Sequence, residues 1–562
     1  MTLVNLLMIN MKYINLFMVK IMRLIIKDYL DTFKEKDELD LLICNILTAD
    51  GYKLDSIPKT GNKQYGVDIH AENDNEILLI AVKKNNIDSS SWDSNKNSVR
   101  QTLNEIRDSY FNIYHIKEKS KKIKIILANN GYINENIKPQ WEGYISSNKS
   151  DNIYYENWNI DDLTNKCISV LFNEMLFTKE LQSDLRKVLY FLDEDNFSNR
   201  YFEIIVDKYL ENIDLNSNKN KIKKHIISFY TCIALINKYA IDLKIFKISI
   251  NIIEYSIIKY WELINKNNLF EKDIYLYYLY KLCSSYEKSN YLFLDEISSI
   301  SNIYNSFNIS NFIENRIIIY DVLSRLSVFG LYLLDNDTLY SDTIDTIYYA
   351  ICYILNNNSI YQYPVYDNNA IEISMVLLFF YKWYTIKKED SIIDDIKNII
   401  NKIVDGIIVR YKYDGKIFSF NDSYEEVLDI EINDFKPDAK YSILFNVILE
   451  WLVLLDERET YKKFVKFIND NFKNITLQNW QIEYGIDDEN SLYSYYANKY
   501  GSANVILRYD FDKLKDAIKE IDSKVNFLEF SFNKYSFPSI SIIASRYFHY
   551  PVLPQFWRKY LK

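Results

Sequence analysis

The sequence predicts an α/β domain at the N-terminal end followed by a large, mostly α-helical array. Three observations carry this. The chain has 562 residues, too many for one ordinary core. Only 10 glycines and 7 prolines punctuate it, which disfavours sandwiches and barrels and favours long helices. Near Thr164 the pattern changes from short apolar runs to long helical stripes.

In chain order, the first 26 residues are apolar but interrupted by Lys12, Lys20 and Arg23, with Met11 and Met22 as alternative starts. They fit neither a secretory leader nor an uninterrupted membrane span of about 20 residues, so residues 1–30 are expected to be a leading helix or a mis-assigned start, with no membrane association. Leu39, Leu42, Ile43, Ile46 and Leu47 form the stripe of an amphipathic helix that Gly51 closes. Tyr52 to Ile57 reads as a strand and Pro58 to Gln64 as a loop. GVDIHAENDNEILLIAVKK, residues 66–84, reads as a β-hairpin turning at Asn73-Asp74-Asn75. An even loop would set Asp68 opposite Ala81 and diagonal to Lys83; an odd one would match it with Lys84. Val99, Leu103, Ile106 and Tyr110 share a helical face. Lys122 to Leu127 is a strand closed by Asn129-Asn130-Gly131, and Ile153 to Tyr155 offers another. The order is helix, three strands, helix, strand.

Beyond Thr164 the expected helices include Ile227–Tyr239, Ile250–Ile264, Ile317–Leu334, Ile371–Tyr384 and Tyr441–Leu455, with no fixed repeat length. The acidic stretch Asn421 to Asp438 reads as a surface loop or a subdomain break, and Trp557 as an anchor for a proline-marked chain end. The division read from these signals is 1–30, 31–165, 166–420 and 421–562.

Net charge is −10, yet Lys53 to Ser150 carries 15 basic against 12 acidic side chains, so any contact of this region with nucleic acid is expected to be transient. The five cysteines (Cys44, Cys167, Cys232, Cys283, Cys352) lack zinc-site spacing and read as buried thiols of a cytoplasmic protein. Four histidines without HExxH, no P-loop and no GxGxxG remove zincin, Cys-His and nucleotide-loop chemistries. The fifty tyrosines accompany an excess of Ile, Asn and Lys and read as compositional bias, and Trp92 and Trp141 as core anchors.

What remains is the hairpin. Asp68 supplies a carboxylate inside an apolar strand, where it needs a partner, Lys83 a cation on the same face, and the preceding helix Asp40, with Glu38 as the alternative. Carboxylates holding a hard divalent ion beside a lysine are the parts that phosphodiester hydrolysis requires. The stretches LDLLICNILTADGY, GNKQYGVDI and LLIAVKK, then VRQTLNEIRDSY and KIKIILANN, resemble the PD-(D/E)XK nuclease superfamily, nearest to the Mrr-like type IV restriction endonucleases. The likeness covers roughly Phe33 to Leu163. It implies a restriction-endonuclease-like fold, Mg²⁺ or Mn²⁺ as cofactor, DNA as substrate, and Asp40, Asp68 and Lys83 as the active site. It further implies a role in restriction or anti-phage defence, with a helical region that answers to a trigger or partner protein, and a homodimer where both strands are cut. The chain departs from that pattern at Ala81, where the family has Glu or Gln. A backbone carbonyl near Ala81 completes the metal site, or the ligand has moved to Glu72, Glu76 or His70, or the domain has become a silent interaction module. Lys84 and Asn85-Asn86 read as a solvated strand end that can touch phosphate.

Overall fold

The computed structural model describes residue 23 and residues 26–561, except 57–64, 95–97, 117–120, 171–178, 193, 195–196, 300–311, 336–339, 415, 434, 436–438, 481–488, 496–501, 504–509 and 523–526. The chain divides into two compact units, Met1–Ile245 and Phe246–Lys562. The helices between 179 and 242 belong to the first unit, where the apolar face of Lys219–Asp242 is buried.

The first unit is built on a five-stranded sheet in the order β1 (Lys53–Ser56), β2 (Ile69–Glu72), β3 (Glu76–Lys83), β4 (Lys122–Asn129) and β5 (Ile153–Trp158). The two junctions flanking β2 are antiparallel, and β3–β4 and β4–β5 are parallel. β3 reads EILLIAVK and is buried from Ile77 to Val82, as expected of a central strand covered on both faces. Ile77, Leu79 and Ala81 pack with Trp92, Val99, Leu103, Ile106 and Trp141 in one core layer. That layer is covered by α2 (Val99–Glu105), which runs on through a π-helical turn at Ile106–Tyr110, and by α3 (Lys138–Asn148). Trp92 and Trp141 meet edge to face at 6.1 Å, so both are packing anchors. By the strand's two-residue period, Leu78, Ile80 and Val82 face the opposite layer. There α1 (Asp40–Ala49) lies against β1 and β2 and touches α4 (Ile160–Val170).

α1 buries Leu42, Ile43, Ile46 and Leu47, the stripe read from the sequence, and stops where Gly51 takes a φ of 86°. It is preceded by a π-helical turn, Glu35–Leu39. Most of the leading segment lies outside the described residues. Its end, 26–31, is helical and is tied to α4 by Lys27 Nζ to Asp161 Oδ1 at 2.9 Å.

The second unit is a helical array. Phe246–Lys266, Phe312–Asp335, Ala370–Lys387 and Leu444–Leu454 match four helices read from the sequence, except that Tyr441–Ser442 forms a short strand. That strand joins a small sheet with Thr476–Asn479 and Ser502–Ala503, which the sequence did not signal. The acidic stretch at 421–438 is not simply a loop: Tyr424–Asn433 is a helix that buries Val427 and Ile430. Charge pairing explains it, since Glu431 lies beside the guanidiniums of Arg316 and Arg410, both buried. Trp557 is buried and donates to Glu450 Oε2 at 2.9 Å, and Arg558 pairs with the same carboxylate. Phe312–Asp335 contains the one stretch among the described residues, Ile313–Asp335, long and apolar enough to cross a membrane, and most of it is buried within the structure.

Candidate functional site

The site is built where β2 begins and β3 ends. The β2–β3 ladder pairs Ile69 with Ile80 and Glu72 with Ile77, the even register that sets Asp68 next to the end of β3. At Asp68 the chain leaves the regular ladder. Its N–H donates to Ile80 O at 2.9 Å, and its Oδ2 accepts from Val82 N at 2.8 Å. The carboxylate thus replaces the backbone acceptor that β2 no longer offers to Val82. Gly66 makes this exit possible. Its φ is 82°, and a Cβ there would lie 2.4 Å from Thr102 O, so both the turn and the close approach of α2 require glycine.

Asp68 is half-buried. Burial pushes its carboxyl above the ordinary carboxylate range; the Val82 bond and the Lys83 charge pull it down, and the charges of Glu35 and Asp40 push it up again. Lys83 ends β3, the turn Glu35–Leu39 touches β3 and leads directly into Asp40, and the charges of Lys83, Glu35 and Asp40 all act on Asp68. Asp40, the first residue of α1, is 7% exposed and accepts from Leu41 N at 2.7 Å. Lys83 is partly exposed at the last position of β3, paired with Asn129 of β4.

Glu35 was missed from the sequence. Read as a straight helix, the segment offers Glu38 as the alternative to Asp40; the π-helical turn changes the phase. Glu38 instead takes Lys34 N at 2.8 Å and Lys224 Nζ at 2.5 Å, which hold its carboxyl below the ordinary range against the cost of burial. That pairing turns it to the helix Lys219–Asp242, away from the strand end.

The carbonyl of Ala81 also fails as a ligand. Ile80 O and Val82 N both point to Asp68, so the strand's alternation turns the N–H and C=O of Ala81 toward β4, where Ala81 pairs with Leu127. The backbone carbonyl on the Asp68 side is that of Val82. The side chain of Ala81 is buried in the core layer under α2.

His70 and Glu72 gather elsewhere. With Asp55 of the short β1 they bring one ligand atom each within 4.8 Å of one another. His70 Nδ1 lies 3.0 Å from Tyr110 OH, and Lys121 is 3.6 Å from Glu72. Glu76 is at the other end of β3, held by Tyr52 OH and by Lys124 Nζ at 3.1 Å, and its carboxyl lies below the ordinary range despite burial. Lys84 is exposed.

Beside Lys83 the ends of β3, β4 and β5 are joined by side-chain amides. Asn85 N donates to Asn130 Oδ1 at 2.8 Å and Asn129 Nδ2 to Asn85 O at 3.0 Å. Asn157 Nδ2 donates to Asn129 Oδ1 at 3.0 Å, and Tyr132 N to Asn86 Oδ1 at 2.8 Å. Asn130 Nδ2 reaches Leu30 O and Phe33 O at 2.9 and 3.1 Å, which fixes the approach to the Glu35 turn. Gly131 closes the cluster, because a Cβ there would lie 2.4 Å from the Asn85 backbone. Asn85-Asn86 is thus an exposed strand end, as read, that is also tied into this amide cluster.

Comparison of the chain with protein-family models, with curated proteins and with solved structures gives no significant match.

Proposed function

We propose that the first unit is a metal-dependent nuclease that hydrolyses DNA phosphodiesters, with Asp68, Asp40 and Lys83 as its working residues and Glu35 added to them. One observation carries this reading: at a strand break the Asp68 carboxylate accepts from Val82 N at 2.8 Å, next in the strand to Lys83, and the Glu35–Leu39 turn that leads into Asp40 touches the same strand. The order of one helix, three antiparallel strands, a helix and a parallel strand supports it, since this is the arrangement the resembled superfamily implies.

The donor set is all oxygen and carries three negative charges, which suits Mg²⁺ or Mn²⁺ rather than a soft metal. Asp68 and Asp40 would hold the ion, with Glu35 and the Val82 carbonyl as the remaining protein oxygens. When bound, the ion supplies charge neutralisation and a more acidic water. Lys83 stabilises negative charge on the phosphate as a water attacks, a contribution of about 3 kcal/mol for a preorganised donor. Asp68 must be ionised to take part, and its raised proton affinity couples metal binding to proton release. Defence against foreign DNA in the cytoplasm, with the second unit answering to a trigger or partner protein and two chains cutting the two strands, is part of the same proposal.

A second reading, a silent nuclease fold serving as an interaction module, is favoured by Ala81, which offers neither a side-chain nor a backbone ligand. Plasmid cleavage separates the two. Purified full-length chain with Mg²⁺ or Mn²⁺ is expected to nick or linearise plasmid DNA, plain or modified, and Asp68→Ala and Lys83→Ala to lose at least about 100-fold of the rate. A preparation whose residual cutting is the same in wild type and both variants would sink the nuclease reading.

A further inference from the structure

The second unit contains a cleft of about 730 Å³, inside the range of about 300–1,000 Å³ typical of small-molecule sites. Its walls come from the ends of Ala370–Lys387 and Leu444–Leu454, the starts of Arg458–Asn471 and Phe511–Asp522, and the chain end at 559–561. Four cationic side chains line it (Lys388, Arg458, Lys515 and Lys559) against the single carboxylate of Asp456, in a chain whose net charge is −10.

Arg458 is already neutralised, by Asp456 at 3.0 Å and by Asp512 at 3.1 Å. Among the described residues Lys388, Lys515 and Lys559 make no ion pair, whereas their neighbours Lys382, Lys387 and Lys513 each do; the ammonium of Lys559 lies 5.1 Å over the Tyr560 ring. Lys388 and Lys559 are exposed and Lys515 is partly so, and Lys382, the neighbour of Lys559, is matched to Asp335 at 3.1 Å. Lysine ammoniums gathered in one concave surface act as point charges that hold phosphate.

The same cleft carries an aromatic wall. Tyr381 and Tyr560 meet with ring centroids 4.9 Å apart, Tyr384 lies 6.0 Å from Tyr381, and all three are only partly buried. Partly open tyrosine rings present π-faces on which a planar heterocycle can stack, a contact worth about 1–3 kcal/mol per base. Cation and ring thus lie together, as a ligand with phosphate at one end and a flat ring at the other requires.

We infer that this cleft is a binding site for a nucleotide, with Lys388, Lys515 and Lys559 holding its phosphates and Tyr384 stacking on its base, while Tyr381, tilted to both of the other rings, packs with Tyr560 at its edge. The inference is independent of the chemistry assigned to the first unit. Calorimetric titration of the full-length chain at about 0.15 M salt tests it, with ATP, AMP and inorganic tripolyphosphate as probes. ATP is expected to bind, and more tightly than AMP or tripolyphosphate, each of which lacks part of the ligand. Lys515→Glu/Lys559→Glu, charge reversals of side chains that make no ion pair, should leave the melting temperature unchanged and weaken ATP at least tenfold. Tyr384→Ala should weaken ATP and leave tripolyphosphate as it was. The inference is overturned if ATP gives no heat at millimolar concentration, or if it binds the lysine variant as well as wild type. Equal binding of tripolyphosphate and ATP, unmoved by Tyr384→Ala, would also overturn it, by showing an anion site with no place for a base.

Discussion

Asp68→Asn and Asp68→Ala both remove the charge, but only the second removes the acceptor of the Val82 N–H bond. Val82 is 1% exposed, so in the alanine variant a buried amide is left without a partner, a cost of about 1–3 kcal/mol. The asparagine keeps an amide oxygen in place and loses a charge that burial, Glu35 and Asp40 all disfavour. The sign follows from the raised pKa. A carboxyl that holds its proton more tightly in the folded chain favours folding below the unfolded value, and that contribution is lost as pH rises through the folded value. At neutral pH the ionised Asp68 therefore works against folding, and asparagine relieves it. The two variants are expected to differ by about 1–3 kcal/mol, with asparagine the more stable. For a unit of this size, about 2–4 °C per kcal/mol makes the gap in melting temperature about 2–12 °C. Scanning calorimetry of the full chain, read with hydrogen exchange of the Val82 amide, measures it. Equal melting temperatures and equal exchange in the two variants would refute the role given to Oδ2. Metal-dependent cleavage surviving in Asp68→Asn would refute the role given to the charge.

Lys83→Ala is expected to cost at least about 100-fold in cleavage rate while stability moves by less than about 0.5 kcal/mol, since the side chain is partly exposed and its strand is held by backbone pairing. Gly66→Ala should destabilise the first unit by about 2–4 kcal/mol, from the positive φ and the 2.4 Å approach to Thr102 O, and a urea titration reads it. Cleavage should decline on acidification from a higher pH than an ordinary aspartate would give, with added Mg²⁺ moving the midpoint down; a pH–rate profile at two metal concentrations checks this. In the second unit, Glu372 and Asp422, each 3.3 Å from the His549 ring, raise its pKa to about 10 against burial. Its contribution to stability is present below about pH 6.5 and lost as pH rises toward 10, so melting temperatures should fall across that window in wild type and less in His549→Gln.

The N-terminal fold was legible because its signals are local. The α1 stripe, the Gly51 stop and the alternation of the hairpin each depend on a few neighbouring residues, and the structure keeps them. The local pattern left even and odd loops open; the structure has the even register, which brings Asp68 to the end of β3. What the sequence hid was phase and partner. The π-helical turn at Glu35–Leu39 exchanges Glu35 for Glu38 at the strand end, and no single-sequence periodicity marks such a turn. Lys224, nearly two hundred residues away, decides where Glu38 goes. The acidic stretch Asn421 to Asp438 reads from sequence as a surface loop or a subdomain break, whereas Tyr424–Asn433 within it is a helix and Arg316 and Arg410 meet one of its acids. The direction of the Ala81 carbonyl was decidable from strand geometry only once the Asp68–Ile80 and Asp68–Val82 bonds were known.

The amide lattice joining Asn85, Asn86, Asn129, Asn130 and Asn157 contains no group that gains or loses a proton between acid and alkali, and its bonds are short-range and largely indifferent to ionic strength. Lys83 and the Glu35 turn are therefore anchored to a frame that stays constant while the carboxylates facing them titrate. Any response of the strand end to pH or salt then reports the charges themselves rather than a loosening of their support, and the two kinds of perturbation can be read apart in one molecule.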